Sequence, residues 1–532
     1  MSAGAEAAGS RSAAGGRNPW LIAGVVSIAT FMEVLDTSIA NVALRHIAGG
    51  LAAGQDESTW VITSYLVANA VVLPISGWLS GVVGRKRFYM ICVALFAVSS
   101  LMCGLSSSLE MLIVFRVLQG LGGGGLAPSE QSILADSFPP EKRAQAFGVY
   151  AIAVIVAPTF GPTIGGWITD NFSWHWIFLI NVPMGMASLV LVQWLLVEPE
   201  VLKRERRDAL AGGLKVDWIG LLLVALWLGC LEVMLDKGQR EDWFDSGFIV
   251  TFAAISFLSL ILLVPWELSR KDPIVDIRLV LRRQFGTTCL VMLAVGAILY
   301  SSTQILPQLL QEQYGYTATW AGLALMPGGL VMFLLMPISS RLTNLVSPKY
   351  LIMGGMTVVA LAMWHFTNLS PDADFATFAW SRVFQMIGLP FLFLPITTAS
   401  YADLPPDKTS QAAALINVAR NLGGSIGVSL STTLLAQNAQ VHQTHLAGHA
   451  SPSALGYQLG LDQATAHFLA QGASQATAQR QAFDWIGQLV QDQATLLSYI
   501  DVFQALAVVA LLMIPVALLL RRGQPGAAAG HG

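Results

Sequence analysis

Charge is scarce in this sequence. Only 11% of its 532 residues are Asp, Glu, Lys or Arg, 54% are hydrophobic, and the mean hydropathy is +0.61. A soluble protein carries roughly 25% charged residues, so there is too little charge here to cover a water-facing surface. A cytosolic globular protein is excluded, and the chain reads as a polytopic membrane protein. Cysteine is scarce too. Cys92, Cys103, Cys230 and Cys289 all lie inside apolar runs without metal-ligand spacing, which suits buried small hydrophobes rather than disulfides or a metal site. A nucleophile triad, a nucleotide-binding loop and a soluble catalytic domain are also missing. The expectation is therefore no enzyme, no cofactor, no metal and no nucleic-acid partner. Residues 1–18 are rich in Ala, Gly and Ser and read as a disordered tail. The apolar run that follows is too long for a signal-peptide core and has no cleavage site after it.

What is abundant is apolar sequence in blocks of membrane-spanning length. Runs of about 20 apolar residues span a bilayer as helices. Fourteen are expected, at 20–44, 58–80, 88–106, 110–132, 144–168, 176–197, 217–235, 247–268, 285–309, 320–340, 350–368, 375–400, 410–436 and 499–520. Trp20, Trp60, Trp176, Trp218 and Trp320 stand near helix starts, where an indole suits the headgroup layer. Basic residues concentrate in cytoplasmic loops of such proteins. With the N-terminus in the cytoplasm, 22 of the 29 Lys and Arg residues fall in cytoplasmic segments, 4 in outer loops and 3 (Arg116, Arg382 and Arg420) within spans. This split supports fourteen spans with both termini cytoplasmic.

The chain also repeats itself. "RVLQGLG" from Arg116 returns as "RVFQMIG" from Arg382, an offset of 266 residues that also lays Pro139-Pro140-Glu141-Lys142 on Pro405-Pro406-Asp407-Lys408, and Gly161 on Gly427. Two parallel six-helix halves follow, with two helices inserted between them. Transporters of one large class are built in this way, binding substrate between halves that rock. The expected organisation is a tail at 1–18, a first half at 19–197, an inserted pair with basic loops at 198–284, a second half at 285–520 and a cytoplasmic tail at 521–532.

These features resemble the major facilitator superfamily, and within it the fourteen-span drug:proton antiporters of the EmrB/QacA type. The residues that carry the resemblance are "LDTSIANVAL", "VITSYLVANAVVLPISGWLSGVVGRK", "FRVLQGLGGGGLAP", "VIVAPTFGPTIGGWI", "IFLINVPMG" and "LPQLLQEQYGYTATWAGLA", in that order along residues 19–520. The resemblance implies the major facilitator fold and export of hydrophobic or amphipathic drug-like compounds across a bacterial inner membrane. It further implies a proton gradient as the driving force, and an assembly with an EmrA-type membrane-fusion adaptor and a TolC-type outer-membrane channel. The alternative is a proton-coupled symporter that imports a small polar nutrient, against which the helix 5 motif and the fourteen-span layout argue.

Ionisable residues inside a span are expensive and mark ion or substrate pathways. Glu33 and Asp36 stand three residues apart in the first span, on a side shared with Thr37, Ala40 and Ala43. Arg116 and Arg382 are the evident cationic partners. A static ion pair that fixes packing is one reading; an excess carboxyl that loads and unloads a proton is the other. By resemblance, Asp36 matches the acid of the helix 1 motif and Arg116 the arginine of the helix 4 motif, which implies a proton-coupling centre of Asp36, Glu33 and Arg116. Asn41, Gln119, Arg382, Gln385 and Arg420 are candidate cavity groups, Arg420 being either cavity-lining or paired with an acid not evident in the sequence. His365 reads as a packed polar residue, and Glu232 as an interfacial one.

Pro158 and Pro162 stand one turn apart, and Gly161 and Gly165 form a G-x-x-x-G pair that permits close helix approach. Spacing alone leaves ordinary packing and a gasket between moving halves equally open; the resemblance implies a gate made of Pro158, Gly161, Pro162, Gly165 and Gly166. Gly122 to Gly125 indicate either close contact with a neighbouring helix or a local break. In the loop "GWLSGVVGRKR", Gly77, Gly84 and Arg85 match the family's loop pattern, whose usual acid position is Gly81 here, so the Asp-based latch cannot form at that position. The segment 437–498, rich in Gln, Ala and His, reads as an amphipathic helical hairpin that either docks the adaptor or caps the cavity. His442, His445 and His449 are too irregularly spaced for a metal site.

Overall fold

The computed structural model describes residues 18–197, 217–270, 273–401, 404, 408–450 and 454–520. The expected tails, the basic loop 198–216 and the Pro405-Pro406-Asp407 copy of the repeat lie outside these residues. Among the described residues the chain is helical and contains no strand. Helix α1 (Pro19–Gly50) starts where the Asn18 side chain accepts the Trp20 N–H and proline occupies the first turn, so the freed amides are capped before the apolar run begins. Then follow α2 (Trp60–Val83), α3 (Arg85–Gly104), α4 (Leu109–Gly123) and α5 (Leu126–Ser137). Gly84, at φ +97°, makes the corner between α2 and α3 that a side chain would strain. The first half ends with α6 (Pro140–Asn171) and α7 (Asn181–Leu195), and the inserted pair is α8 (Trp218–Lys237) and α9 (Gly247–Ser269).

The second half comprises α10 (Arg283–Glu312), α11 (Ala318–Leu345), α12 (Pro348–His365), α13 (Phe375–Gly388), α14 (Pro390–Tyr401), α15 (Thr409–His449), α16 (Leu455–Ala470) and α17 (Gln475–Ala517). Among the described residues twelve helices or continuous helix pairs are long and apolar enough to cross a membrane, or thirteen with α6, which bends by 42° between Pro158 and Phe160. The remaining expected span, 410–436, is helical within α15 but is not apolar enough to join them. Its Ser410, Asn417, Arg420, Ser429 and Ser431 are buried against protein rather than facing lipid.

The two halves use the same pairings. Helix α1 packs along α6, and its counterpart α10 packs along α15. Between halves, α6 meets α11, and α2 meets α15. A Cβ at Gly77 would come within 3.0 Å of the Gln411 Cα and the Ser410 carbonyl, so this glycine of the loop pattern serves the contact between halves. The inserted pair is more than a tether. On α8, Asp236 accepts from Thr63 and Lys237 donates to Thr59, both in the first half; Glu232 accepts from Ser425 (2.8 Å) and the Leu235 carbonyl from Ser429 (2.7 Å), both in the second. Glu232 is therefore buried between helices rather than interfacial.

The segment expected as a hairpin is helical: α15 runs on to His449, α16 follows, and α17 starts at Gln475. At 1.5 Å per residue, α15 and α17 are each about 60–65 Å long, roughly twice the hydrocarbon thickness. His442 and Asn438 both reach Asp501, at 2.7 and 2.8 Å, and tie the two together.

The four-glycine run does both things the sequence left open. Gly124 and Gly125 form the break between α4 and α5. Gly120 and Gly124 face the α2 backbone at Tyr65 and Asn69, while Gly122 and Gly125 face Cys92, Phe96 and Phe88 of α3. A Cβ at Gly122 would lie 2.9 Å from the Cys92 carbonyl oxygen. We expect Gly122→Val to destabilise the first half by about 1–3 kcal/mol through overpacking. The check is the melting temperature of the detergent-purified variant, and an unchanged value would show that the α3–α4 spacing is not limiting.

Candidate functional site

Asp36 lies near the middle of α1, inside the first half. Its Oδ2 is 2.5 Å from Arg116 Nη1 on α4. Its Oδ1 accepts from Gln119 Nε2 at 3.0 Å and from Asn181 Nδ2 of α7 at 2.7 Å. Both amides also donate to the Ser100 hydroxyl of α3, at 3.1 and 3.0 Å. The guanidinium is held as firmly: Nε donates to the Val61 carbonyl of α2 (2.9 Å), Nη1 to Gln119 Oε1 (2.8 Å), and the plane lies 4.4 Å from the Tyr65 ring centroid. Five helices thus converge on one ion pair that water does not reach. Burying two charges costs several kcal/mol per ion, and only close pairing with additional hydrogen bonds offsets it.

Glu33, one turn along α1, is held differently. Its Oε1 accepts from Asn69 Nδ2 of α2 at 3.0 Å, and its Oε2 is buried with no hydrogen-bond partner. It lies within electrostatic reach of Asp36 and of Arg420, which crosses from the second half. The Nη1 of Arg420 donates to the Tyr150 hydroxyl of α6 at 2.6 Å. The same hydroxyl donates to Asn417 (3.0 Å), which donates to Gln131 of α5 (3.0 Å), and Tyr401 stacks on Phe147 at 5.3 Å. This polar seam joins the halves at the end of the bundle that carries Arg85, Lys86 and Arg87. Arg420 is thus held by Tyr150 and Asn421 and makes no ion pair among the described residues, with Glu33 the acid within electrostatic reach across the seam.

The repeat gives a comparison within one molecule. Arg382 corresponds to Arg116 and Gln385 to Gln119, but Asp36 corresponds to Ser302 and Glu33 to Leu299. Arg382 Nη1 donates to Ser302 (3.1 Å) and to Gln385 (2.6 Å), and its Nη2 to Thr303 (2.7 Å). Its second-half niche is neutral. The fold therefore accommodates a buried guanidinium at this position without an acid, and the acids are a property of the first half.

The remaining expected residues fall in several places. Asn41 is exposed and donates to the Thr37 carbonyl, whereas Gln119, Arg382 and Gln385 are fully buried and hydrogen-bonded rather than lining open space. His365 is exposed rather than packed, with Nδ1 3.1 Å from Ser381 Oγ. Gly161 and Gly165 bring α6 against Ser38 and Ile39 of α1. The Gly166 carbonyl accepts from Thr169, and Pro158 and Pro162 flank the bend. On the opposite side of α6, Thr163 meets Gly322 of α11. Arg85 forms an ion pair with Asp136 of α5, so a latch absent from the loop pattern is rebuilt with an acid from another helix. Sequence reasoning missed Asp136, Asn69, Ser100 and Asn181, which are unremarkable polar residues until packing brings them together.

Residues 26–428 match the family model described as Major Facilitator Superfamily, and the chain belongs to that family. It is a multi-pass membrane transporter and not an enzyme. It is 42% identical over 431 residues to "Multidrug export protein EmrB" of Haemophilus influenzae, a match that covers 80% of this chain and 82% of that one. It is 38% identical over 479 residues to the protein of the same description from Escherichia coli strain K12, covering 90% of each. Among solved structures it shares its fold with the human organic anion transporter MFSD10, at a TM-score of 0.59 and 12% identity over 94% of this chain and 99% of the other.

Removing one member of the buried pair leaves an uncompensated charge. Arg116→Gln is expected to cost about 3–5 kcal/mol, and adding Asp36→Asn is expected to recover part of that loss. Thermal unfolding of the single and double variants in detergent measures the coupling. Strictly additive losses would mean that the pair does not act as a unit.

Proposed function

We propose that the protein exports hydrophobic or amphipathic toxic compounds across the bacterial inner membrane in exchange for protons. It does so as the inner-membrane subunit of a tripartite pump with an EmrA-type adaptor and a TolC-type outer-membrane channel. In this reading the chain spans the membrane fourteen times with both termini cytoplasmic, and the seam at Tyr150, Asn417 and Arg420 closes the cytoplasmic side. The observation that carries the reading is the Asp36–Arg116 pair, buried with Glu33 beside it as an acid held by a single hydrogen bond. The two export proteins similar over most of this chain support the direction and the substrate class.

In this reading the ion pair is the switch. A proton reaching Asp36 neutralises the carboxylate and removes its Coulombic hold on Arg116. The guanidinium then keeps Val61 and Gln119 but loses its charge-assisted contact with α1, leaving the Gln119–Asp36 hydrogen bond between α4 and α1. Because α1 packs along α6, and α6 meets α11 of the other half, a change in α1 passes to the contact between halves through the Gly161 and Gly165 faces. The bend in α6 gives that contact two segments that can move separately. Loss of the proton to the cytoplasm restores the pair and resets the carrier. The pump assignment takes 437–498 as the docking surface.

Asp36→Asn is expected to abolish proton-driven efflux in proteoliposomes while the protein remains folded, and Glu33→Gln to change substrate preference before it abolishes transport. Dye accumulation in expressing cells, with and without an uncoupler, reads direction and energy source together. Energy-dependent extrusion by wild type that is lost in Asp36→Asn is the expected result, and full coupling in that variant would remove Asp36 from the mechanism.

A further inference from the structure

Glu130 lies on α5, in the same half as the ion-pair centre, and no part of the mechanism above uses it. It is fully buried, at 0% exposure. One carboxyl oxygen accepts from the Ser27 hydroxyl of α1, and the other is enclosed with no hydrogen-bond partner. Among the described residues it has no ion pair. An ionised carboxylate in that setting would carry a full desolvation cost against the neutral hydroxyls of Ser27 and Thr30 alone. A carboxylic acid meets no such penalty and has an O–H that can donate. We propose that Glu130 is a second proton-binding carboxyl, separate from Asp36, which carries protons between the Tyr150–Arg420 seam and Glu33.

Three observations support the placement. Along α1, Ser27, Thr30, Glu33 and Asp36 follow one another in steps of three residues, all buried and all polar. Ser27 holds Glu130 at one end of this series, and Asp36 holds Arg116 at the other. Glu33, between them, feels the charge of both acids and like Glu130 has one unpartnered oxygen. Secondly, Glu130 is followed directly by Gln131, which accepts from Asn417 and so belongs to the seam between the halves. The series thus runs from the enclosed ion pair to the surface that must open on the cytoplasmic side. Thirdly, the repeat replaces Glu130 by Ile396, just as it replaces Glu33 by Leu299 and Asp36 by Ser302. The second half packs without any of these carboxyls, so the fold does not require them.

The titratable groups nearest Glu130 are Glu33 from α1, Tyr89 from α3 and Tyr150 from α6. Around Glu33 stand Asp36, Tyr65 of α2, Cys92 of α3 and Arg420 of α15. Arg116 on α4 is taken by Asp36, and Arg85 of α3 by Asp136 of α5 itself. Arg143 of α6 donates to the Phe138 carbonyl, and Lys408, which precedes α15, pairs with Asp276. Among the described residues the cation within electrostatic reach of Glu33 that moves with the other half is Arg420. Withdrawal of Arg420 favours protonated Glu33, and its return favours release of that proton through Glu130 toward the seam.

The proposal deepens the proton-exchange reading, and its test begins with a measurement that does not need transport. Infrared absorption of the protonated carboxyl C=O is recorded across pH on detergent-purified wild type, Glu130→Gln, Glu130→Asp and Asp36→Asn. The Gln variant keeps an acceptor for Ser27 and a near-identical volume. A protonated-carboxyl component at neutral pH that is present in wild type and Asp36→Asn, absent in Glu130→Gln and shifted in Glu130→Asp supports the proposal. Carboxyl spectra of Glu130→Gln and wild type that superimpose at every pH overturn it. The second arm counts protons released per substrate molecule in proteoliposomes. A lower count in Glu130→Gln, with substrate binding retained, supports the relay role, and an unchanged count overturns it. If wild type itself moves substrate without protons, the exchange reading and the relay both fail, while the infrared result still decides whether Glu130 holds a proton.

Discussion

A single buried ion pair organises the first half of this transporter. Asp36 and Arg116 can remain charged in the interior only if each has the other and if most of their remaining lone pairs and protons are met; of the guanidinium nitrogens only Nη2 is left without a partner. That requirement brings five helices to one point and accounts for polar side chains at Ser100, Gln119 and Asn181. It also accounts for the use of the Val61 carbonyl by Arg116 Nε near the start of α2. The second half shows the other solution. Arg382 sits among Ser302, Thr303 and Gln385, which supply dipoles and no charge. The two arrangements differ in what a proton can do to them: one loses a Coulombic bond on protonation, and the other has no acid to protonate.

Close helix approach is the second constraint, and it follows from the first. A guanidinium 4.4 Å from a tyrosine ring and hydrogen-bonded to a backbone carbonyl of the next helix requires α2 and α4 to lie nearly in contact. The glycines at 120, 122, 124 and 125 supply that proximity on two sides. In a membrane there is little hydrophobic gain from helix association, so small residues and interhelical hydrogen bonds carry more of it. The seam between the halves is built on different terms. Tyr150, Gln131, Asn417 and Arg420 form a hydrogen-bonded chain that a rocking motion can break and re-form, whereas the glycine contacts within each half are too tight to slide.

Much of the site was visible in the sequence because charge in an apolar run is conspicuous. Asp36, Glu33, Arg116, Arg382 and Arg420 stood out in that way. Glu130 is open to the same reasoning, since it lies inside the run 110–132, but its neighbours Ser129, Gln131 and Ser132 make that stretch look like the end of a helix. Neutral partners gave no signal. Asn69 and Asn181 are single amides among many, and Asp136 became the partner of Arg85 only because α5 lies beside α3. The glycine run announced something unusual without saying which of two forms it took, and packing produced both. The inserted helix α8 gave no sign of its role, because nothing in its composition shows that Asp236 and Lys237 face one half and Glu232 the other.

By itself the sequence determined that the chain is a helical membrane protein in two related halves. Hydrophobic runs, basic loops and a 266-residue repeat are local or periodic properties, each legible without knowing which helices touch. It also determined which charges had to find partners, because a lone ion in a span is too costly to leave unmet. The tertiary structure decided which partners those were. A choice between Arg116, Arg382 and Arg420 for two acids depends on which helix faces lie together, and that depends on glycine positions and helix bends acting over the whole bundle. The three arginines look alike in sequence. Packing gave one a carboxylate, one a set of neutral dipoles, and one a tyrosine on the other half of the molecule.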